Sequence, residues 1–254
     1  TINEPTIYVS HAYLFGVWPP QVKSLSRMRR VGRTLLKAHT ACYGLIHRIH
    51  EELSLPKPFV SIAHHVMALV PCTSGLRDRF AAAVRHKVFN EASLDELVRR
   101  KALDFIAVNY YSRQLVELKR WGIRNLLADV CDKGHHPVKK NSLGWDIYPE
   151  GLYAILLRLK KYGLPVMIAE NGICTGDDAL RWEFIKTHLE KISAALEDGV
   201  PVMGYLYWSL LDNFEWDKGY APRFGLVDVD YATQKRTVRE SALKFGQVCK
   251  SGIL

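Results

Sequence analysis

The chain reads as an α/β fold in which parallel strands are joined by crossover helices. Three observations predict this. Helix-period and strand-like segments alternate along its length. The strand-like segments at residues 104–111, 165–171 and 202–210 are near-continuous apolar runs, as strands covered on both faces should be. Two of the strand ends carry a glutamate beside an asparagine, Asn3-Glu4 and Glu170-Asn171. In barrels built from parallel strands, catalytic groups sit at such C-terminal ends. The 254 residues suffice for one core, so residues 1–254 are read as a single domain.

The elements follow in order. From Val31 the apolar positions Leu35, Ala38, Cys42, Leu45 and Ile49 recur at three- and four-residue steps, which predicts a long amphipathic helix ended by Pro56 and Pro58. Residues 60–66 read as a strand. Residues 76–101 read as a helix in two pieces around Asn90, and 104–111 as a buried strand. Residues 113–146 are polar and irregular, with Gly122, Gly134 and Pro137, and are expected to form a long surface loop or lid. Pro149 opens the next helix and Gly163 closes it. After the strand at 165–171, Asp177 and Asp178 suit a helix N-terminus, and Gly199 ends that helix. A strand at 202–210, a polar loop and a final helix over 237–249 complete the series. The count is four strands plus a stub before Glu4.

Composition excludes several classes. The net charge of +9 raises nucleic acid as a partner. However, the basic residues are spread over helices, and the cluster Arg27, Arg29, Arg30 and Arg33 has no interleaved aromatics, so it reads as a solvated helix face and no nucleic-acid partner is expected. The cysteines at 42, 72, 131, 174 and 249 are odd in number and widely spaced without a CxxC. That pattern argues against a disulfide framework or a zinc site and predicts a reducing, cytoplasmic setting. The most apolar stretch, residues 200–211, is too short to cross a bilayer, so no membrane partner is expected.

Three strings carry chemistry. Thr1-Ile2-Asn3-Glu4-Pro5 and Ile168-Ala169-Glu170-Asn171-Gly172 each offer a carboxylate at a strand end with an amide beside it. Glycosidic bonds yield to a pair of carboxyl groups acting on either side of the anomeric carbon, while an amide can hold a sugar hydroxyl or orient a carboxylate. Alone, either string reads as a cap or turn. The third string, Trp208-Ser209-Leu210-Leu211-Asp212-Asn213-Phe214-Glu215-Trp216, adds two indoles that suit pyranose faces and acids that suit vicinal hydroxyls.

Together the three strings resemble the family 1 glycoside hydrolases, the β-glucosidase family. Asp104-Phe105-Ile106 through Asn109-Tyr110-Tyr111, the run from Gly144-Trp145-Asp146 to Leu152, and Arg223-Phe224-Gly225-Leu226-Val227 with its tail extend the likeness over nearly the whole chain. The resemblance implies a (β/α)8 TIM barrel of which this chain supplies about the end of strand 4 through strand 8 with their helices. It implies Glu4 as general acid/base and Glu170 as nucleophile, with Tyr111 hydrogen-bonded to that nucleophile. Asn3 would bind the 2-hydroxyl and Asn109 would lie close by. Trp208 would floor the glycone site, Glu215 would take the 4- and 6-hydroxyls, Trp216 the 3-hydroxyl, Phe224 would wall the pocket, and Trp145 would line the leaving-group side.

The implied activity is that of a retaining enzyme on small unphosphorylated β-glucosides or β-galactosides, with no cofactor and no metal. An ionised Glu170 is expected to raise the pKa of Glu4 and keep it protonated. Thioglucosidases of this group replace the acid/base by glutamine, whereas Glu4 is present. A glutamate at 215 would repel a 6-phosphate, which points to a neutral sugar. The chain departs from the pattern at Ala107 (usually glycine) and His65 (commonly asparagine), and the region before Asp104 is shorter than usual. The family's first strands, which supply glutamine, histidine and tryptophan contacts and an arginine near the nucleophile, lie outside this chain. The expected partner is therefore the N-terminal half of the barrel, on the same or a separate polypeptide. The rival expectation is a catalytically incomplete half-barrel that serves as a structural or assembly module and self-associates.

The histidine pairs suggest metal only weakly. His64 and His65, adjacent on a strand, face opposite sides. His135-His136 is a second adjacent pair, and the helix pair His47 and His50 shows no evident acidic or cysteine partner in the sequence.

Overall fold

The computed structural model describes residues 1–132 and 138–254. Four strands form one parallel sheet in the order β1 (Ala63–Pro71), β2 (Ile106–Val116), β3 (Val166–Asn171) and β4 (Val202–Tyr207). Asn3 adds a parallel bridge to Ala63 outside β1, where the stub before Glu4 was expected. Every connection between neighbouring strands crosses over through helix, as parallel pairing demands. This is the strand half of a (β/α)8 barrel.

The chain enters on α1 (Pro5–Val9), whose Pro5 occupies the first turn where a missing N–H costs nothing. A π-helical turn over Ser10–Phe15 follows. Helix α2 (Leu25–Glu52) starts six residues before Val31, because Ser24 caps it by accepting from the Arg27 N–H. Its apolar stripe is only partly buried: Leu45 is 46% exposed and Ile49 40%. The helix turns Met28, Leu36, His39 and Tyr43 inward instead. Polar partners make this possible, since His39 Nε2 meets the Ala102 carbonyl at 2.6 Å and Tyr43 donates to Asp104 at 3.0 Å.

Strand β1 begins three residues later than residues 60–66 suggest and runs on to Pro71. The predicted break at Asn90 lies in a π-helical segment, His86–Glu91, between α3 (Leu76–Arg85) and α4 (Ala92–Arg99). Strand β2 continues to Val116, and α5 (Ile123–Ala128) follows, so the 113–146 segment is irregular only in part. Gly134, His135, His136 and Pro137 lie outside the described residues. Contrary to the cysteine-spacing reading, Cys72 and Cys131 are joined by a disulfide with Cα atoms 5.9 Å apart. Their separation of 59 residues conceals the pairing from any spacing argument. It ties the segment after α5 to the end of β1.

Helix α6 (Pro149–Leu159) opens on its proline, and after a 3₁₀ turn Gly163 closes it with φ 64°. Asp177 caps α7 (Asp178–Glu197) by accepting from the Ala179 and Leu180 N–H groups. A small antiparallel hairpin of β5 (Val227–Val229) and β6 (Arg236–Val238) precedes α8 (Glu240–Ser251). The hairpin displaces the predicted start of the last helix from 237 to 240.

The core lies between the sheet and its helices. Val66, Leu94, Leu97, Ile106, Val108, Leu152, Leu156, Val166 and Ile168 are all buried in one cluster. Strand β2 is central and nearly continuous in burial. Strand β4, at the edge, leaves Met203 and Leu206 about half exposed. Register then places the polar residues: His65 pairs with Asn109, and Asn109 with Glu170, in one row across three strands.

Candidate active site

That row is the base of the site. Glu4 joins it from the stub: its N–H donates to the Ala63 carbonyl at 2.8 Å, which sets it beside β1. Its backbone is left-handed, φ 43° and ψ 54°, and caps α1. Such a conformation costs a non-glycine residue on the order of 1 kcal/mol and persists where surrounding structure requires it. The turn sends the chain into α1 and leaves the carboxylate among the strand ends.

Asn109, fully buried on β2, links the two halves. Its Nδ2 donates to Glu4 Oε1 at 3.0 Å and to Asn3 Oδ1 at 3.1 Å. Glu170 is its register partner on β3. Tyr111, two residues on, donates its hydroxyl to Glu170 Oε2 at 2.7 Å. Glu4, Glu170, Tyr111, Asn3 and Asn109 therefore converge at the C-terminal end of the sheet. Asn171 turns the other way, donating to the Tyr110 carbonyl at 2.7 Å.

His65 completes the cluster, with Nδ1 3.1 Å from Glu4 Oε1. His64 points through the sheet to the Asn90 carbonyl at 3.0 Å, so the two rings face different elements. His47 does have an acidic partner, Asp104 at 2.8 Å. Sequence spacing concealed it because the two are brought together by packing of α2 against the start of β2.

The electrostatics reverse the expectation. Burial pushes the Glu4 carboxyl upward, but the hydrogen bonds from His65 and from the amide of Asn109 outweigh it, and its pKa lies below the usual value. Burial raises Glu170, and the charge of Glu4 adds to this against the Tyr111 hydrogen bond. Glu4 is thus the more acidic of the two carboxyls, the opposite of the expected order. The physical reason is the balance against burial: the donors on His65 and Asn109 offset it at Glu4, while at Glu170 the Tyr111 hydrogen bond does not offset burial and the charge of Glu4. Glu215 is raised too, by burial and then by the charges of Glu4 and Asp217, which sets it within the field of the same site.

Aromatic residues rim one side. Phe224, 2% exposed, packs edge-on against Tyr111 at 6.2 Å, and Trp145 meets both, at 5.9 Å from Tyr111 and 6.1 Å from Phe224. Trp208 is half-buried, directly after β4. Trp216 is 71% exposed and makes no ring contact with this group among the described residues.

Several supporting residues were not singled out from the sequence. Arg113 Nε donates to Asp146 at 2.8 Å and holds the turn that carries Trp145. Asp212, inside the tryptophan-rich string, accepts from Arg239 at 2.9 Å and from the Gly225 N–H at 2.8 Å. It fixes the loop after β4 rather than facing sugar. Arg181, fully buried, donates to the Asp178 carboxylate and to the Thr175 and Arg223 carbonyls, pinning the loops beyond β3 and β4 together. An arginine at a helix start with an aspartate three residues before it was the only trace in sequence.

The family model for glycosyl hydrolase family 1 matches residues 1–100 and 87–252. The chain is 33% identical over 270 residues to the chloroplastic galactolipid galactosyltransferase SFR2 of Arabidopsis thaliana, covering 99% of this chain and 40% of that protein. It is 31% identical to a β-galactosidase of Sulfolobus acidocaldarius, covering 99% and 54% respectively. Among solved structures, a β-glycosidase from Pyrococcus horikoshii superposes with a TM-score of 0.89 at 38% identity, over 98% of this chain and 60% of that one. The β-glucosidase from Thermotoga maritima in complex with glucoimidazole gives a TM-score of 0.87 at 29% identity, over 100% and 64%. The chain thus spans roughly half of the length of the curated relatives it matches, between 40% and 63% for the first three.

Proposed function

The chain belongs to glycosyl hydrolase family 1, and on that footing we propose that it carries the carboxylate pair of a retaining β-glycosidase acting on small unphosphorylated β-glucosides or β-galactosides. One observation carries the reading: Glu4 and Glu170, 166 positions apart in sequence, meet around Asn109 at one end of a parallel sheet. Glu170 attacks the anomeric carbon and becomes esterified by the sugar. Glu4 gives its proton to the leaving oxygen. In the second step Glu4 takes a proton from the incoming acceptor, which attacks the ester and frees Glu170. Water as acceptor gives hydrolysis. A sugar hydroxyl gives transfer, and the Arabidopsis relative is a galactosyltransferase by name. Both outcomes share the glycosyl-enzyme step.

The order of the two acidities must invert for this cycle, because Glu170 attacks as carboxylate and Glu4 donates as acid. Donors facing Glu170 from the remainder of the fold would supply the inversion. The reading therefore assigns the active species to this chain together with that remainder. The test is release of nitrophenol from a nitrophenyl β-glucoside by the chain with its complement. Glu170→Gln is expected to lower turnover by at least about 10³-fold, a loss in the range seen when the nucleophile of an active site is removed. Unchanged turnover in that variant removes the proposal.

A second reading is favoured by the half-exposed Met203 and Leu206 on β4 and by the exposed Leu45 and Ile49 on α2. Strand β4 is an edge strand of the sheet. In this reading the chain is a half-barrel whose role is assembly, and its carboxylates stay unused.

A further inference from the structure

As acid and base, Glu4 has two carboxyl oxygens on which the transferred proton can sit. We propose that His65 is a positioning residue for that step: with Asn109 it fills Oε1 of Glu4 with donors, so that the transferable proton is confined to Oε2. This rests on the reading of Glu4 as the acid/base.

The geometry is specific. His65 Nδ1 lies 3.1 Å from Glu4 Oε1, and Asn109 Nδ2 lies 3.0 Å from the same oxygen. Glu4 Oε2 makes no hydrogen bond among the described residues, so it is the oxygen left to hold a proton. The other nitrogen of the ring, Nε2, is buried and has no hydrogen-bond partner among the described residues. A neutral imidazole carries one N–H. Placing it on Nε2 would bury an orphaned donor and point a lone pair at a carboxylate. Placing it on Nδ1 satisfies both the ring and Glu4. His65 therefore donates, and Oε1 accepts twice.

Other groups face Glu4 as well. Asn109 and Tyr111 approach from β2, Glu170 from β3 and Glu215 from the loop after β4, while His64 lies on the same strand as His65. His64 is turned to the far face, on Asn90. His65 is thus the titratable donor in contact with Glu4. Its ring also lies parallel to that of Tyr111, at 6.4 Å and 16°, and Tyr111 donates to Glu170. One stacked pair of rings consequently sends a donor to each carboxylate. An asparagine at position 65 could offer a donor near the place of Nδ1, but not a ring stacked on Tyr111.

The test uses the full chain without substrate, so it is independent of turnover. With glutamate labelled at the carboxyl carbon and Glu4 assigned through Glu4→Gln, NMR titration follows the Glu4 midpoint in the unaltered protein, His65→Leu and His65→Asn. The midpoint is expected to rise by about 0.5 to 1 pH unit in His65→Leu, the size one hydrogen bond accounts for, and to return toward the original value in His65→Asn. A midpoint unmoved in a folded His65→Leu overturns the proposal. Nitrogen shifts of His65 in the unaltered protein at pH 7.5 give a second readout that no variant can spoil. A proton on Nδ1 is expected, and a proton on Nε2 overturns the assignment. If both readouts hold while glycoside turnover is absent, the failure belongs to the proposed function and not to His65.

Discussion

Asn109 shows how one residue can organise a site. It is fully buried, sits in the middle of the row His65–Asn109–Glu170, and spends both amide hydrogens on Asn3 and Glu4. The candidate carboxylates were legible in sequence because each ends a strand beside an amide. Their relative acidity was not, because it depends on donors from other strands: His65 reaches Glu4 from 61 positions away. Buried histidines elsewhere set a measurable property. His64 and His188 are both pushed down to about 4 by burial, with His188 stacked on Phe184 at 3.8 Å. Their folded pKa values lie below the unfolded value near 6.5, so the unfolded chain binds more protons as pH falls through that window. Stability is then expected to drop between pH 6.5 and about 4, by roughly 1.4 kcal/mol per pH unit for each ring, with no contribution from them above 6.5. Urea midpoints measured from pH 7.5 to 4.5 check this, and a flat profile would contradict it.

Elements are held to one another at a few contacts that admit no extra atom. Gly172, just past β3, is one: a Cβ there would come 1.8 Å from the Trp208 carbonyl oxygen beyond β4. Gly172→Ala must push the two strand ends apart, and with them Glu170 and Trp208. A loss of about 3 kcal/mol is expected, which for a chain of this size lowers the melting temperature by roughly 6–12 °C. Gly176→Ala, with nothing within 4 Å of its Cβ, serves as the matched control and should melt with the unaltered chain. A Gly172→Ala protein as stable as that control would show that the contact is slack. Elements with strong local signals were readable: Pro149 and Gly163 bracket α6 and its 3₁₀ turn, and Asp177 caps α7. What escaped was set by distant partners. The last helix starts at Glu240 because β6 pairs with β5, and β2 extends to Val116 because β1 runs alongside it to Pro71. The stripe from Leu35 to Ile49 marked α2 correctly as a helix. It did not mark the packed face, which His39 and Tyr43 take through hydrogen bonds that a hydrophobic pattern does not register. The Cys72–Cys131 bond was hidden for the same reason.

At the scale of the whole molecule, the parallel sheet begins at a single bridge, Asn3 to Ala63, and ends on β4 with apolar side chains half exposed. Unpaired strand edges with apolar faces invite pairing. The chain by itself is expected to self-associate at micromolar concentration in light scattering, and lysines at Met203 and Leu206 should shift it toward monomer. A monodisperse monomer from the unaltered chain would count against the assembly reading. In the proposed reaction a carboxylate oxygen of Glu170 bonds to the sugar's anomeric carbon, with Glu4 across from it. The most direct measurement traps that bond. A 2-deoxy-2-fluoro-β-glucosyl fluoride is applied to the chain combined with the part of the Pyrococcus horikoshii β-glycosidase that it does not cover, and the labelled peptide is sequenced by mass spectrometry. The fluoro-sugar is expected on Glu170, and nowhere in Glu170→Gln. Label on another residue of this chain, or its persistence in Glu170→Gln, would contradict the account.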